Sequence, residues 1–216
     1  MKTVFPSINS ADHLFLHDEL MKVDRAGFET MHVDVQDGNF FPNISFGMKV
    51  LEGMRRYSDI GFNVHVMVQN PSYYIDRLGQ IGNIHSVLFH PRHVLYPSQF
   101  IQQIRAMGSS PGIALFPLES LHEMRYYVGK IDYLQIMTGE PDNGQFEFNR
   151  YTLERIREAR EIFGDSAHIL VDGNVGLEEL PLVKEAGADR FVVGRALFRA
   201  EHFDERVEQI RRIVGE

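Results

Sequence analysis

Short apolar runs alternate along the whole chain with longer stretches in which apolar residues recur every three or four positions. The runs are Thr3–Phe5, Met31–Val35, Phe62–Met67, Ser86–Phe89, Gly112–Leu115, Tyr133–Met137, His168–Val171 and Arg190–Val193. Their richness in Val, Ile, Leu and Phe predicts strands buried on both faces, as in a parallel sheet. Between them, Leu14, Leu16, Leu20 and Val23 share a helical face, as do Phe100, Ile101, Ile104 and Met107. Further helical faces are Leu153, Ile156 and Ile162; Leu180, Val183 and Ala186; and Val207, Ile210, Ile213 and Val214. Gly27, Gly108 and Gly187 fall just past such stretches, where a left-handed C-terminal cap is needed. The helical stretch Tyr73–Leu78 is short, and Pro91 and Pro97 interrupt the approach to Phe100.

Eight strands alternating with eight helices in 216 residues allow about 27 residues per unit, a workable βα length. The prediction is one domain over residues 1–216, an α/β chain closed as a TIM (β/α)8 barrel. The alternative is an open flavodoxin-like or Rossmann sheet, but no G-x-G-x-x-G follows the first strand.

Composition narrows the chemistry. There is no cysteine, hence no disulfide framework, thiolate metal site or thiol nucleophile. This fits a reducing cytoplasm, which is the expected location. Thirty acidic against 22 basic side chains leave a formal charge of −8, which argues against bulk binding to nucleic acid or anionic membrane. No apolar run reaches the ~18 residues of a membrane span, and Met1–Pro6 lacks a signal-peptide stretch. The ten histidines are the unusual feature.

In a barrel, chemistry gathers at the C-terminal ends of the strands. His32 and Asp34 lie two apart in the second strand and so share a face. His65 interrupts the apolar third strand, and Asp172 ends the seventh before Gly173. Taken singly, each has a plain structural reading: a buried His–Asp hydrogen bond, a satisfied core histidine, a turn aspartate. Taken together, two imidazoles and two carboxylates at neighbouring strand ends suit one divalent ion of the zinc, iron, manganese or cobalt group. The loops after strands seven and eight are common phosphate sites. Here they carry Gly173-Asn174 and Gly194-Arg195, with Gly144 offering a further amide from the sixth loop. Arg195 can pair bidentately with phosphate, or else serve only as a surface ion-pair partner. His13, His17, His122 and His202 fall on helix surfaces, and His168 opens a strand. His85, His90 and His93 flank the fourth strand, where Phe89-His90-Pro91 is able to line the pocket, with no metal ligation expected of it.

The run His32-Val33-Asp34-Val35-Gln36-Asp37-Gly38-Asn39-Phe40-Phe41-Pro42-Asn43-Ile44-Ser45-Phe46-Gly47 closely resembles the signature of the ribulose-phosphate 3-epimerase family. So, in the family's order, do Phe5-Pro6-Ser7, His65-Val66-Met67-Val68-Gln69-Asn70-Pro71, Met137-Thr138, Val171-Asp172-Gly173 and Val193-Gly194-Arg195-Ala196-Leu197-Phe198. The resemblance implies a TIM barrel of the ribulose-phosphate-binding type and an isomerase that inverts C3 of a ketose phosphate through an enediolate. It implies that His32, Asp34, His65 and Asp172 hold a divalent metal, and that Asp34 and Asp172 are the two acid/base groups. Ser7, with His65, would face the small sugar-phosphate substrate, Met67 and Met137 would surround the reacting centre, and the chain would form a homo-oligomer.

The departures cluster away from the metal set. Gln36 stands where the family usually has methionine, Asn174 where a second glycine is usual, and Arg195 where serine is usual. The sixth loop, Pro141-Asp142-Asn143-Gly144-Gln145, is shorter than the usual Pro-Gly-Phe-Gly-Gly-Gln. The pattern resembles that of a divergent sugar-epimerase branch, in which Arg195 is expected to take over phosphate contacts. Two other functions compete: a lyase or decarboxylase on the same barrel, and a barrel that binds sugar phosphate without turnover. Lys49, Lys130 and Lys184 lie away from the strand ends, which disfavours the lyase, and the retained acids disfavour the passive binder.

Overall fold

The computed structural model describes residues 1–140 and 147–216; Gly144 and its loop lie outside the described residues. All eight expected strands form: β1 (Val4–Pro6), β2 (Thr30–Gln36), β3 (Gly61–Met67), β4 (Ile84–Phe89), β5 (Ser110–Leu115), β6 (Tyr133–Met137), β7 (His168–Asp172) and β8 (Arg190–Val193). They pair in parallel in the order β1-β8-β7-β6-β5-β4-β3-β2. The ring closes between β1 and β2 through one parallel bridge, Ser7 to His32. This is the TIM (β/α)8 architecture.

The helices are α1 (Leu16–Arg25), α2 (Met48–Arg55), α3 (Pro71–Ile81), α4 (Pro97–Ala106), α5 (Thr152–Phe163), α6 (Glu179–Glu185), α7 (Arg195–Phe198) and α8 (Phe203–Val214). The prolines that interrupt the sequence pattern open α3 and α4 instead of breaking them, because the first helical position needs no N–H partner. Strict alternation fails twice: α7 and α8 both follow β8, and no α-helix follows β5. The connection after β5 holds only a 3-10 segment, His122–Tyr127. Leu121 and Met124 are buried and Tyr127 packs against the same core, a three-residue spacing that fits 3.0 residues per turn rather than 3.6.

Strand alternation divides the interior into two apolar regions. Met31, Val33, Val35, Phe62, Val64, Val66, Leu134, Ile136, Ile169 and Val171 face the helices. Phe5, Leu88, Ala114, Tyr133, Leu170 and Val192 form a separate apolar cluster inside the barrel. Buried polar residues share the inward register: His32, Asp34 and Gln36 on β2, Asn63 and His65 on β3, Ser86 on β4 and Gln135 on β6. A barrel interior is a packed core, so each of these must find a partner there or line a site.

Candidate active site

Asp34, on β2, is surrounded by fixed donors. Ser45 Oγ donates to the Asp34 carbonyl (2.5 Å) and accepts from Gln36 N (3.1 Å), anchoring the following loop back on the strand. Asp37 extends this anchorage: its carboxylate accepts from the backbone of Asn39, Phe40 and Gln69. Burial pushes the Asp37 carboxyl up, but these amides outweigh it and hold it below the usual range. The β1–β2 bridge brings Ser7 alongside, and its hydroxyl donates to Asp34 Oδ2 (3.3 Å).

His32 Nδ1 lies 2.6 Å from Asn63 Oδ1, and Asn63 in turn donates to Ser86 Oγ (2.5 Å). An amide oxygen can only accept, so Nδ1 carries a proton and Nε2 faces the acids. Nε2 lies 3.1 Å from Asp34 Oδ1 and 3.5 Å from Asp172 Oδ2. His65 Nδ1 approaches the same two oxygens at 3.5 and 3.7 Å. One ligand atom from each of His32, Asp34, His65 and Asp172 lies within 4.8 Å of the other three. Burial disfavours the His32 charge, but Asp34 and then Asp172 outweigh it and push its pKa up to about 9. Burial likewise works against Asp34 ionisation, and His32 outweighs it, holding the carboxyl well below the usual range. Two carboxylates this close repel one another unless a proton or a positive charge lies between them. The nitrogen-and-oxygen donor set, with both imidazoles turned inward, fits a divalent cation.

Above the cluster opens a cavity of about 520 Å³ lined by Ser7, Asp34, Gln36, Met67, Met137, Asp172, Gly173, Asn174, Gly194 and Arg195. The described sequence-derived residues therefore converge; Gly144 lies outside the described residues. His32 and His65 are fully buried and reach the cavity only through the acids above them. Gly173 and Asn174 both have positive φ, 126° and 53°, which glycine adopts readily and asparagine more easily than most other residues. A Cβ at Gly194 would collide with Ser10 Oγ. Gln36 lies 3.8 Å from Met67 Sδ through Nε2, while its Oε1 accepts from Asn43 Nδ2 (3.1 Å).

Several contributors escape sequence reading. Gln135, fully buried on β6, places Nε2 3.1 Å from Asp172 Oδ2, 3.0 Å from His65 Nδ1 and 3.2 Å from Met137 Sδ. Its signal is one amide inside an apolar strand. Asn63 is readable as the inward neighbour of His65, two residues away. Asn9, Ser10, Asn43 and Arg199 join the cavity wall from loops whose course no local pattern reveals. His90 is buried behind His65, its Nε2 3.0 Å from that of His65, and is not among the residues lining the cavity.

Fold and site together define a (β/α)8 barrel with an imidazole–carboxylate centre at the C-terminal mouth of its strands. A family model described as the ribulose-phosphate 3 epimerase family matches residues 3–198. This chain belongs to that family, whose members are isomerases. It is 32% identical over 216 residues to the ribulose-phosphate 3-epimerase of Bacillus subtilis, covering 98% of this chain and 99% of that one. Against the Methanocaldococcus jannaschii protein of the same name, identity is 31% over 208 residues, covering 95% and 88%. Among solved structures, a mutant tryptophan synthase alpha-subunit of Pyrococcus furiosus superposes with a TM-score of 0.70 at 15% identity, covering 99% and 98%. That likeness concerns the fold alone.

Proposed function

We propose that residues 1–216, as one barrel domain, form a metal-dependent epimerase that inverts C3 of a ketose phosphate. The substrate class is ribulose 5-phosphate or a related pentulose or hexulose phosphate, and the setting is a cytoplasmic homo-oligomer. The observation that carries this reading is the pairing of Asp34 and Asp172 over the two imidazoles at the cavity floor. The acids come from β2 and β7, which β1 and β8 separate in the ring.

Inversion requires a proton to leave one face of a carbon and another to arrive on the opposite face. One carboxylate would return it to the face it left; two placed across the ring avoid this without a redox cofactor. In this reading Asp34 and Asp172 exchange the acid and base roles according to which epimer is bound. Ser7 steadies Asp34 through Oδ2, and Gln135 steadies Asp172 through Oδ2, leaving Asp172 Oδ1 available to the substrate. His32, Asp34, His65 and Asp172 would hold a zinc, iron, manganese or cobalt ion, which when bound supplies Lewis-acid stabilisation of the enediolate oxygens. Met67 and Met137 line the cavity with groups that carry no exchangeable proton, excluding water from the carbanionic centre. Gly173, Asn174, Gly194 and Arg195 form the phosphate end, to which Gly144 belongs in the same proposal. Arg195 meets the anion bidentately.

Incubation with a panel of ketose phosphates in deuterated water tests the reading directly. Deuterium is expected at C3 of at least one phosphorylated ketose. Its absence from every candidate, with divalent ion present, overturns the epimerase reading.

A further inference from the structure

We infer that His90 and Glu119 form a relay behind His65, with Glu119 a positioning residue for the cation centre. The inference rests on the proposed role of His65 as a metal ligand, but its geometry stands independently.

The relay starts from a constraint on protons. His65 Nε2 and His90 Nε2 lie 3.0 Å apart, so one nitrogen donates and the other accepts. Gln135 decides which. Its amide nitrogen lies against the Asp172 carboxylate, which accepts, and the same nitrogen lies 3.0 Å from His65 Nδ1. An NH2 group donates only, so Nδ1 of His65 is the bare nitrogen and Nε2 carries the proton. A cation held by His32, Asp34, His65 and Asp172 would need this same tautomer, because Nδ1, the His65 nitrogen facing the acids, would have to offer its lone pair.

His90 is then the acceptor at Nε2, and its proton belongs on Nδ1. That nitrogen points toward Glu119 Oε2 at 3.8 Å, an ion-pair separation, with the carboxylate side chain only 11% exposed. Both groups are fixed. The His90 ring stacks on Phe116, with centroids 4.4 Å apart and planes 22° apart, and lies 4.9 Å from the Phe40 ring. The backbone N–H of Phe116 donates to Glu119 Oε2 at 2.7 Å, so one residue clamps the imidazole and aims the carboxylate. Burial raises the Glu119 carboxyl, but His90 and the Phe116 amide outweigh it and keep it below its usual range. Metal-bound imidazoles characteristically donate their second N–H to a partner that holds the ring and raises its basicity. His32 has Asn63 for that purpose; His65 has His90, with Glu119 behind it.

Two measurements test the relay. Nitrogen NMR on the unaltered, metal-free protein should find His65 protonated at Nε2 and His90 at Nδ1; a His90 protonated at Nε2 alone overturns it. The second is a cobalt(II) titration of the unaltered protein, Glu119→Gln, His90→Phe and the double variant, followed by affinity and visible absorption. Glu119→Gln keeps an acceptor for the Phe116 N–H, and His90→Phe keeps the stack. Each single variant should weaken cobalt binding roughly tenfold or more and shift the absorption bands. The double variant should match His90→Phe, because Glu119 acts only through His90. Unchanged single variants, or effects that add, overturn the relay and leave the metal centre standing. Failure of the unaltered protein to bind cobalt overturns the metal centre, and the nitrogen shifts then decide the relay.

Discussion

Asp34 and Asp172 each present two oxygens with different surroundings. Asp34 Oδ1 and Asp172 Oδ2 approach the imidazoles, Asp34 Oδ2 accepts from Ser7, and Gln135 donates to Asp172 Oδ2. Replacing either acid by asparagine keeps size and an oxygen but removes the proton acceptor. At saturating metal, Asp34→Asn and Asp172→Asn should each lower kcat for ribulose 5-phosphate by about 10²–10⁴, measured by NMR of the two epimers. Retention of near-normal kcat in either variant would remove that acid from the mechanism. In the proposed reading Arg195 serves binding rather than chemistry. Arg195→Ala should raise KM for a phosphorylated ketose by about tenfold or more, the worth of a hydrogen bond to a charged group, with kcat within a few-fold. An unchanged KM would place the phosphate elsewhere. His32-Val33-Asp34 was readable because a two-residue spacing puts both side chains on one strand face. Gln135 and Glu119 were not, because a single polar residue does not name the partner that another strand supplies.

At the level of elements, every strand was visible as an apolar run, since burial on both faces leaves a signal that needs no tertiary information. The helices were visible where a stripe recurs at 3.6 residues. The connection after β5 departs because Leu121, Met124 and Tyr127 recur at three. Gly112 on β5 illustrates what the pattern hides. It resembles any glycine in an apolar run, yet a Cβ there would lie 2.9 Å from both Leu88 Cγ and Tyr133 Cβ. These side chains belong to the apolar cluster inside the barrel. Gly112→Ala should therefore destabilise the protein by about 1–3 kcal/mol through overpacking, lowering Tm by about 2–4 °C per kcal/mol. A melting curve unchanged by the substitution would mean that the interior yields at no cost.

At the scale of the whole molecule, Asp189, just before β8, ties the base of the barrel together. Its carboxylate accepts from His168 Nδ1 (2.9 Å) and Ile169 N (2.8 Å) and faces Arg160 at 3.3 Å. Burial raises its carboxyl, but His168 and then Arg160 and Arg190 outweigh it and leave it below the usual value. A depressed carboxylate stabilises fully above its unfolded pKa of about 3.9, and the benefit disappears as pH falls through the lower folded value. Asp189→Asn should consequently flatten the acid limb of Tm against pH below about pH 4 while lowering Tm at neutral pH. Parallel limbs for the two proteins would refute the linkage.

The sequence by itself determined the eight strands, most of the helices and the residue types of the cluster that His32, Asp34, His65 and Asp172 form. It could do so because burial and strand alternation are local properties written residue by residue. Only the closed barrel decided that Asp34 and Asp172 meet, since β2 and β7 face one another across β1 and β8 only when β1 closes against β2 through Ser7 and His32. Closure also brought Gln135 to Asp172 and His65, and His90 with Glu119 to the back of His65. These partners lie up to 138 residues apart in the chain for Asp34 and Asp172, and no local pattern encodes a contact between strands whose register the whole ring must first establish.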